Sequence, residues 1–122
     1  MGSFRDLTIY KKAFELSMLI FKESKNFPDE EKFGLISQIR RSSRSVCSNV
    51  AEGYRKRIYE AHFISKCTDA DMENSEIQVW LDFSVACDYI TKEKYQNYLI
   101  RSEEIGRLLN HMIENPGKYK GK

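Results

Sequence analysis

Residues 38–57, QIRRSSRSVCSNVAEGYRKR, set six basic side chains against one acid. Arg40, Arg41, Arg44, Arg55, Lys56 and Arg57 face Glu52 alone, among serines, an alanine, a glycine and a cysteine. Such a stretch could hold phosphate. Positive charges projecting together release counterions from a nucleic-acid backbone, and small hydroxyl residues let that backbone come close. Arginine suits this better than lysine, because its planar fork takes two phosphate oxygens at once. On a helical wheel at about 100° per residue, Arg40, Arg41, Arg44 and Arg55 share an arc of about 100°, with Ser37 and Ser48. Gln38, Ser42, Ser45 and Asn49 form an uncharged sector suited to close packing, within or between subunits.

A second use of the same arginines competes with the first. Residues 69–88 carry six acids (Asp69, Asp71, Glu73, Glu76, Asp82, Asp88) and no base. That negative segment could neutralise the positive one, inside a subunit or across an interface. Tyr54 and Tyr59 flank Arg55-Lys56-Arg57, an arrangement compatible with stacking on unpaired bases. Most aromatic residues here fall at core spacing, so Tyr59 is a minor candidate only.

Other chemistry finds no footing in the pattern. Neither His62 nor His111 follows a glutamate by three residues, as paired di-iron helices require. Cys47, Cys67 and Cys87 are too dispersed for a zinc spacing. Gly34, Gly53 and Gly106 are isolated, unlike a phosphate loop. Glu73 and Glu76 read as a charged helix face, with no nucleophile nearby. The expectation is a non-enzymatic protein with no metal and no cofactor.

The elements that must position the basic stretch are helices. A chain of 122 residues with 41% hydrophobic and 31% charged composition fits one soluble domain, 1–122. A net charge of +2 names no partner, so the distribution has to be asked. No run approaches 18 apolar residues, no signal-peptide core is present, and Asp6 stands where myristoylation needs Ser or Thr. Three unpaired cysteines suit buried, reduced thiols, so the expected location is cytoplasmic, with no membrane partner.

Four periodic segments appear, at about 6–25, 29–56, 60–88 and 91–114, and a loose basic tail is expected over 115–122. The first has two apolar stripes, one through Leu7, Tyr10, Phe14, Met18 and Phe21, the other through Ile9, Ala13, Leu16 and Ile20. Pro28 followed by three acids signals the start of the second. Its seam runs through Phe33, Ile36, Ile39, Ser43, Val46, Val50 and Tyr54, and Gly53 could mark its end. The third is apolar on one face (Phe63, Cys67, Ala70, Ile77, Leu81, Val85) and much of the other (Met72, Val79, Trp80, Phe83, Cys87). Thr91 caps the fourth, whose core positions include Ser102, Ile105, Leu109 and Met112. Short connections predict an all-α, antiparallel up-and-down four-helix bundle. The surplus of apolar surface predicts self-association.

Three stretches carry a resemblance: FPDEEKFGLISQIRRSSRSVCSNVAEGYRKR, SEIQVWLDFSVACDYI and EEIGRLLNHMI. They resemble the bacterial four-helix-bundle family encoded by intervening sequences in 23S rRNA genes, also labelled S23 ribosomal protein-like. The likeness runs from Phe4 to about Ile113. It implies a left-handed bundle assembling into a homopentameric ring. A related retroelement accessory protein, also a pentameric bundle, binds nucleic acid and a reverse transcriptase. The expected function is non-enzymatic binding of RNA or DNA backbone through Arg40, Arg41, Arg44, Arg55, Lys56 and Arg57. The alternative is a scaffold that binds another protein and spends its arginines on subunit contacts.

Overall fold

The computed structural model describes residues 2–121; Met1 and Lys122, the ends of the expected domain and tail, lie outside them. The described residues form four long helices and no strand: α1 Thr8–Ser24, α2 Leu35–Arg55, α3 Glu60–Ala86 and α4 Lys92–Glu114. A short α5, Gly117–Lys120, follows. The helices make a bundle around one apolar core that includes Leu16, Ile39, Val46, Phe63, Ile77 and Leu109.

Helix ends follow from where orphan backbone groups find partners. The expected start of α2 at residue 29 is corrected by six residues. Asp29–Glu31 form a single 3-10 turn, Gly34 breaks the chain at φ −109°, ψ −110°, and α2 begins at Leu35. The acidic signal still acts, from outside the helix: the Leu35 amide donates to Glu31 Oε1 at 3.2 Å. Glu31 Oε2 accepts from the Tyr89 hydroxyl at 3.0 Å, and that bond pushes the Tyr89 phenol up to about 12. Thr91 caps α4 as its sequence suggests, accepting from the Lys94 amide at 3.1 Å. α3 stops at Ala86, with Asp88 in the left-handed region at φ 61° and the Tyr89 amide reaching back to the Ser84 carbonyl at 2.9 Å.

The deep face of α1 is the stripe of Ile9, Ala13, Leu16 and Ile20. The stripe beside it is shallower: Phe14 and Met18 are exposed, and Leu7, Tyr10 and Phe21 half-buried. In α2 the seam holds from Ile39 to Tyr54, but Phe33 precedes the helix and is 89% exposed. Gly53 does not end α2. It lies buried in its last turn, where an added Cβ would sit 3.1 Å from Lys66 Cβ. Glycine at that position lets α3 approach α2 closely.

On α3, Phe63, Cys67, Ala70, Ile77 and Leu81 are buried, while Met72, Val79 and Phe83 are exposed. Polar groups inside the core are paired. Asn74 Nδ2 donates to the Ser102 carbonyl at 2.9 Å, and Ser102 Oγ donates to Asn74 Oδ1 at 2.9 Å. Gln78 Nε2 adds a bond to Ser102 Oγ at 3.1 Å. Between α1 and α2, the hydroxyls of Ser17 and Ser43 meet at 3.2 Å. Ser42, from the uncharged sector, is fully buried within the chain.

Two expectations need correction. The tail is not loose over its described length: Tyr119 of α5 stacks on Phe63, centroids 5.8 Å apart, and its hydroxyl lies 3.0 Å from His111 Nδ1. Stacking area on a fully buried ring outweighs the entropy of so short a segment. The cysteines are free but not all buried: Cys67 is buried, Cys47 half-buried and Cys87 exposed, since α3 turns that last position outward.

Burial pushes the Cys47 thiol up to about 11 and the Cys67 thiol up to about 12. The Tyr98 phenol is also raised, by burial first and then by its bond to Glu23 Oε1 at 2.7 Å. Each group holds its proton more tightly folded than unfolded. Their stabilisation is therefore complete below the unfolded values of 9.0 for thiol and 10.0 for phenol, and is lost as pH rises through the folded ones. Urea midpoints should stay level to about pH 9 and fall steadily above it. Tyr98→Phe should remove its share of the fall that begins near pH 10, leaving that of Tyr89; a midpoint that rises above pH 9 contradicts this assignment.

Candidate nucleic-acid interface

The six basic residues of the stretch divide by what surrounds them. Arg40 is occupied. Its Nε donates to Ser24 Oγ at 2.8 Å, Nη2 to the Phe21 carbonyl at 3.4 Å, and its guanidinium lies 4.7 Å from the Phe21 ring centroid. It closes the last turn of α1, where carbonyls lack helical donors.

Arg41 is occupied too. Nη1 donates to Glu73 Oε2 at 3.0 Å, Nη2 donates to Glu76, and Nε donates to Gln38 Oε1 at 3.1 Å. The bond to Glu73, and then that to Glu76, holds this guanidinium charged more firmly than usual. Glu76 also accepts from Trp80 Nε1 at 3.2 Å. The mutual neutralisation of α2 and α3 thus happens at Arg41. It happens within one chain, across a partly exposed seam.

Arg57 turns inward. Its guanidinium lies 4.0 Å from the Tyr54 ring centroid and Nη1 donates to the Tyr54 carbonyl at 2.9 Å. Tyr54 itself is only 4% exposed, so it offers no ring to a base.

Arg44, Arg55 and Lys56 remain open. All three are exposed and none has an ion pair among the described residues. Arg44 lies 5.7 Å from the Phe21 ring centroid and faces a shallow groove along α2, shared with Lys32, Arg40, Arg41 and Ser48. Arg55 ends α2 and Lys56 is its C-cap, where positive charge complements the helix dipole. Eleven residues separate Arg44 from Arg55, about 16 Å along the axis. The stripe expected on one arc is therefore two basic places, a groove and a turn.

The sequence pattern did not single out Lys32 or Lys66. Lys32 lines the groove. Lys66 binds Glu52 at 2.8 Å and so cancels the single acid of the basic stretch. A spacing rule could not have found that pair, because the chain turns between them. No group of three or more His, Cys, Asp or Glu able to hold a metal occurs among the described residues, and no described helix is long and apolar enough to cross a membrane.

Four long helices around one apolar core, with no strand among the described residues, define the class: a helical-bundle protein. The chain belongs to the 23S rRNA-intervening sequence protein family, whose model matches residues 5–111. It is similar to a protein of unknown function from the S23 ribosomal protein family of Bacteroides thetaiotaomicron VPI-5482, known from its crystal structure. Identity is 32%, with 87% of this chain and 95% of that one covered, at a TM-score of 0.79. None of the curated proteins compared matches this chain.

Proposed function

We propose that this protein is a non-enzymatic, cytoplasmic nucleic-acid-binding bundle that contacts RNA or DNA backbone without reading bases. The observation that carries the proposal is the exposure of Arg44, Arg55 and Lys56 with no carboxylate on any of them among the described residues. Arg40, Arg41 and Arg57 take structural work: one closes α1, one ties α2 to α3, one fixes the end of α2. The membership in a family named for rRNA intervening sequences supports RNA as the natural polyanion.

The bundle is proposed to be antiparallel, up-and-down and left-handed. Cross-helix pairs support the first two: Ser24 with Arg40 and Ser17 with Ser43, then Asn74 with Ser102 and Asp82 with Tyr95, rising numbers meeting falling ones. Assembly into a homo-oligomeric ring, of five subunits as the resemblance implies, is part of the same reading. Two distinct apolar stripes support it, Phe14 with Met18 on α1 and Met72, Val79 and Phe83 on α3. Unlike patches on different faces suit head-to-tail contacts, which close into rings.

Titration of single-stranded and structured RNA across several salt concentrations tests the backbone reading. Log affinity should fall with log salt by roughly 0.7–0.9 per phosphate neutralised. Replacing Arg44, Arg55 and Lys56 together by alanine should flatten that slope by about 2–3. Arg41→Ala should leave it unchanged, since that side chain already serves Glu73 and Glu76. A flat salt response in the unaltered protein retires the proposal in favour of a scaffold for another protein.

A further inference from the structure

The turn between α2 and α3 carries more than charge. Tyr59 is 57% exposed and Ile58 56% exposed, directly after Arg55, Lys56 and Arg57. The Tyr59 backbone is fixed at both groups: its amide donates to the Lys56 carbonyl at 2.8 Å, and its carbonyl accepts from the Phe63 amide at 3.0 Å. Its ring meets the exposed His62 ring edge-on, centroids 6.2 Å apart. An open aromatic face is thus held on a rigid hinge, one helix cap away from two unpaired cations. Of the two acids between residues 52 and 60, Glu52 is taken by Lys66, which leaves Glu60. The docking of Tyr119 on Phe63 brings α5 to the same end, with Lys118 and Lys120 both exposed.

We propose that this turn is a binding site for single-stranded nucleic acid, with Tyr59 as the stacking platform and Arg55 and Lys56 on the flanking phosphates. The inference rests on the backbone-binding reading above and names its substrate class. A duplex shows a protein its phosphates and groove edges, while base faces are hidden in the stack. An exposed ring adds nothing to that surface. On an unpaired strand every base has a free face, so one platform accepts any sequence. Phosphate contacts alone would not need an aromatic beside them.

Fluorescence anisotropy with a labelled mixed-sequence RNA of about 12 nucleotides, and with the duplex of the same sequence, tests this. The unaltered protein should favour the single strand. Tyr59→Ala should weaken single-strand binding by about 5- to 100-fold, leave duplex binding as it was, and keep the salt slope, since it removes no charge. Tyr59→Phe, which retains the ring, should restore affinity. Arg55→Ala with Lys56→Ala should lower the slope on both probes. Equal affinity for both probes with Tyr59→Ala silent overturns the single-strand site and leaves the backbone reading standing. No binding of either probe overturns both. Binding to phosphatidylserine-containing vesicles that depends on Ile58, with no RNA binding, overturns both in favour of a lipid surface.

Discussion

Phe63→Ala lowers the unfolding free energy by about 3–5 kcal/mol, enough to remove much of the stability of a small domain. Phe63 is fully buried in the first full turn of α3. It sits where α3 packs closely on α2: a Cβ at Gly53 would lie 3.8 Å from the Phe63 carbonyl oxygen and 4.0 Å from Cys67 Sγ. Truncation loses the transfer energy of the ring and leaves a cavity that two closely packed helices cannot collapse into. It also strips Tyr119 of its stacking partner, so α5 should loosen with it. Urea unfolding followed by circular dichroism measures the loss. Tyr119→Ala in the Phe63→Ala background should then cost less than Tyr119→Ala alone, because the two share one contact. Phe33→Ala is the control: with its side chain 89% exposed, it should fall within about 0.5 kcal/mol of the unaltered protein. Similar losses at the two positions would mean that the core has been misplaced.

Asn74→Ala is expected to cost about 2–3 kcal/mol, more than its modest size suggests. Its amide and carbonyl both face Ser102, which is itself fully buried. Removing the side chain takes away two bonds at once and leaves the Ser102 hydroxyl proton without its acceptor at 2.9 Å. The hydroxyl keeps only a 3.5 Å bond to the Asn74 backbone carbonyl, and burying it so poorly paired costs more than the lost bond contributed while formed. Asn74→Leu fills the space but leaves the same hydroxyl with that long bond alone as an outlet for its proton, so it should not recover the loss. Asn74→Ala with Ser102→Ala should recover part of it, because the facing pair then leaves together and only the half-buried Gln78 amide loses an acceptor. Thermal unfolding of the three variants decides the matter, and a loss below about 1 kcal/mol for Asn74→Ala would show that the pair is dispensable.

The sequence was most informative where a rule is local. Thr91 caps α4, the buried stripe of α1 is one of the two read from periodicity, and the α2 seam from Ile39 to Tyr54 stands. It was least informative where the deciding partner is far along the chain. A wheel places Arg41 among the other arginines, yet Glu73 and Glu76 lie 32 and 35 residues later on another helix. Arg40 likewise looked like a surface cation until Ser24 and Phe21 of α1 were set beneath it. Asn74 attracted no notice, since a single polar residue on an acidic helix carries no sign of burial. The start of α2 was misplaced for a related reason: carboxylates that complement a helix N-terminus can do so from the turn before it, as Glu31 does. Gly53 read as a terminator because glycine weakens a helix in isolation, whereas here a neighbouring helix needs the missing side chain.

The seam between α1 and α4 joins the two most distant long helices in the chain. At its surface it is held by Lys12 with Glu104, Glu15 with Arg101, and Glu23 with Lys94. Closing it requires bringing together segments roughly 70 to 90 residues apart, the costliest loop in this topology. The helical hairpins made by neighbours in sequence can form early and quickly; this edge zips last. The two exposed pairs, Lys12 with Glu104 and Glu15 with Arg101, also give little hold once ionic strength rises. Amide exchange in α1 should therefore quicken with added salt sooner than in α3, making α1 the hatch through which the bundle breathes.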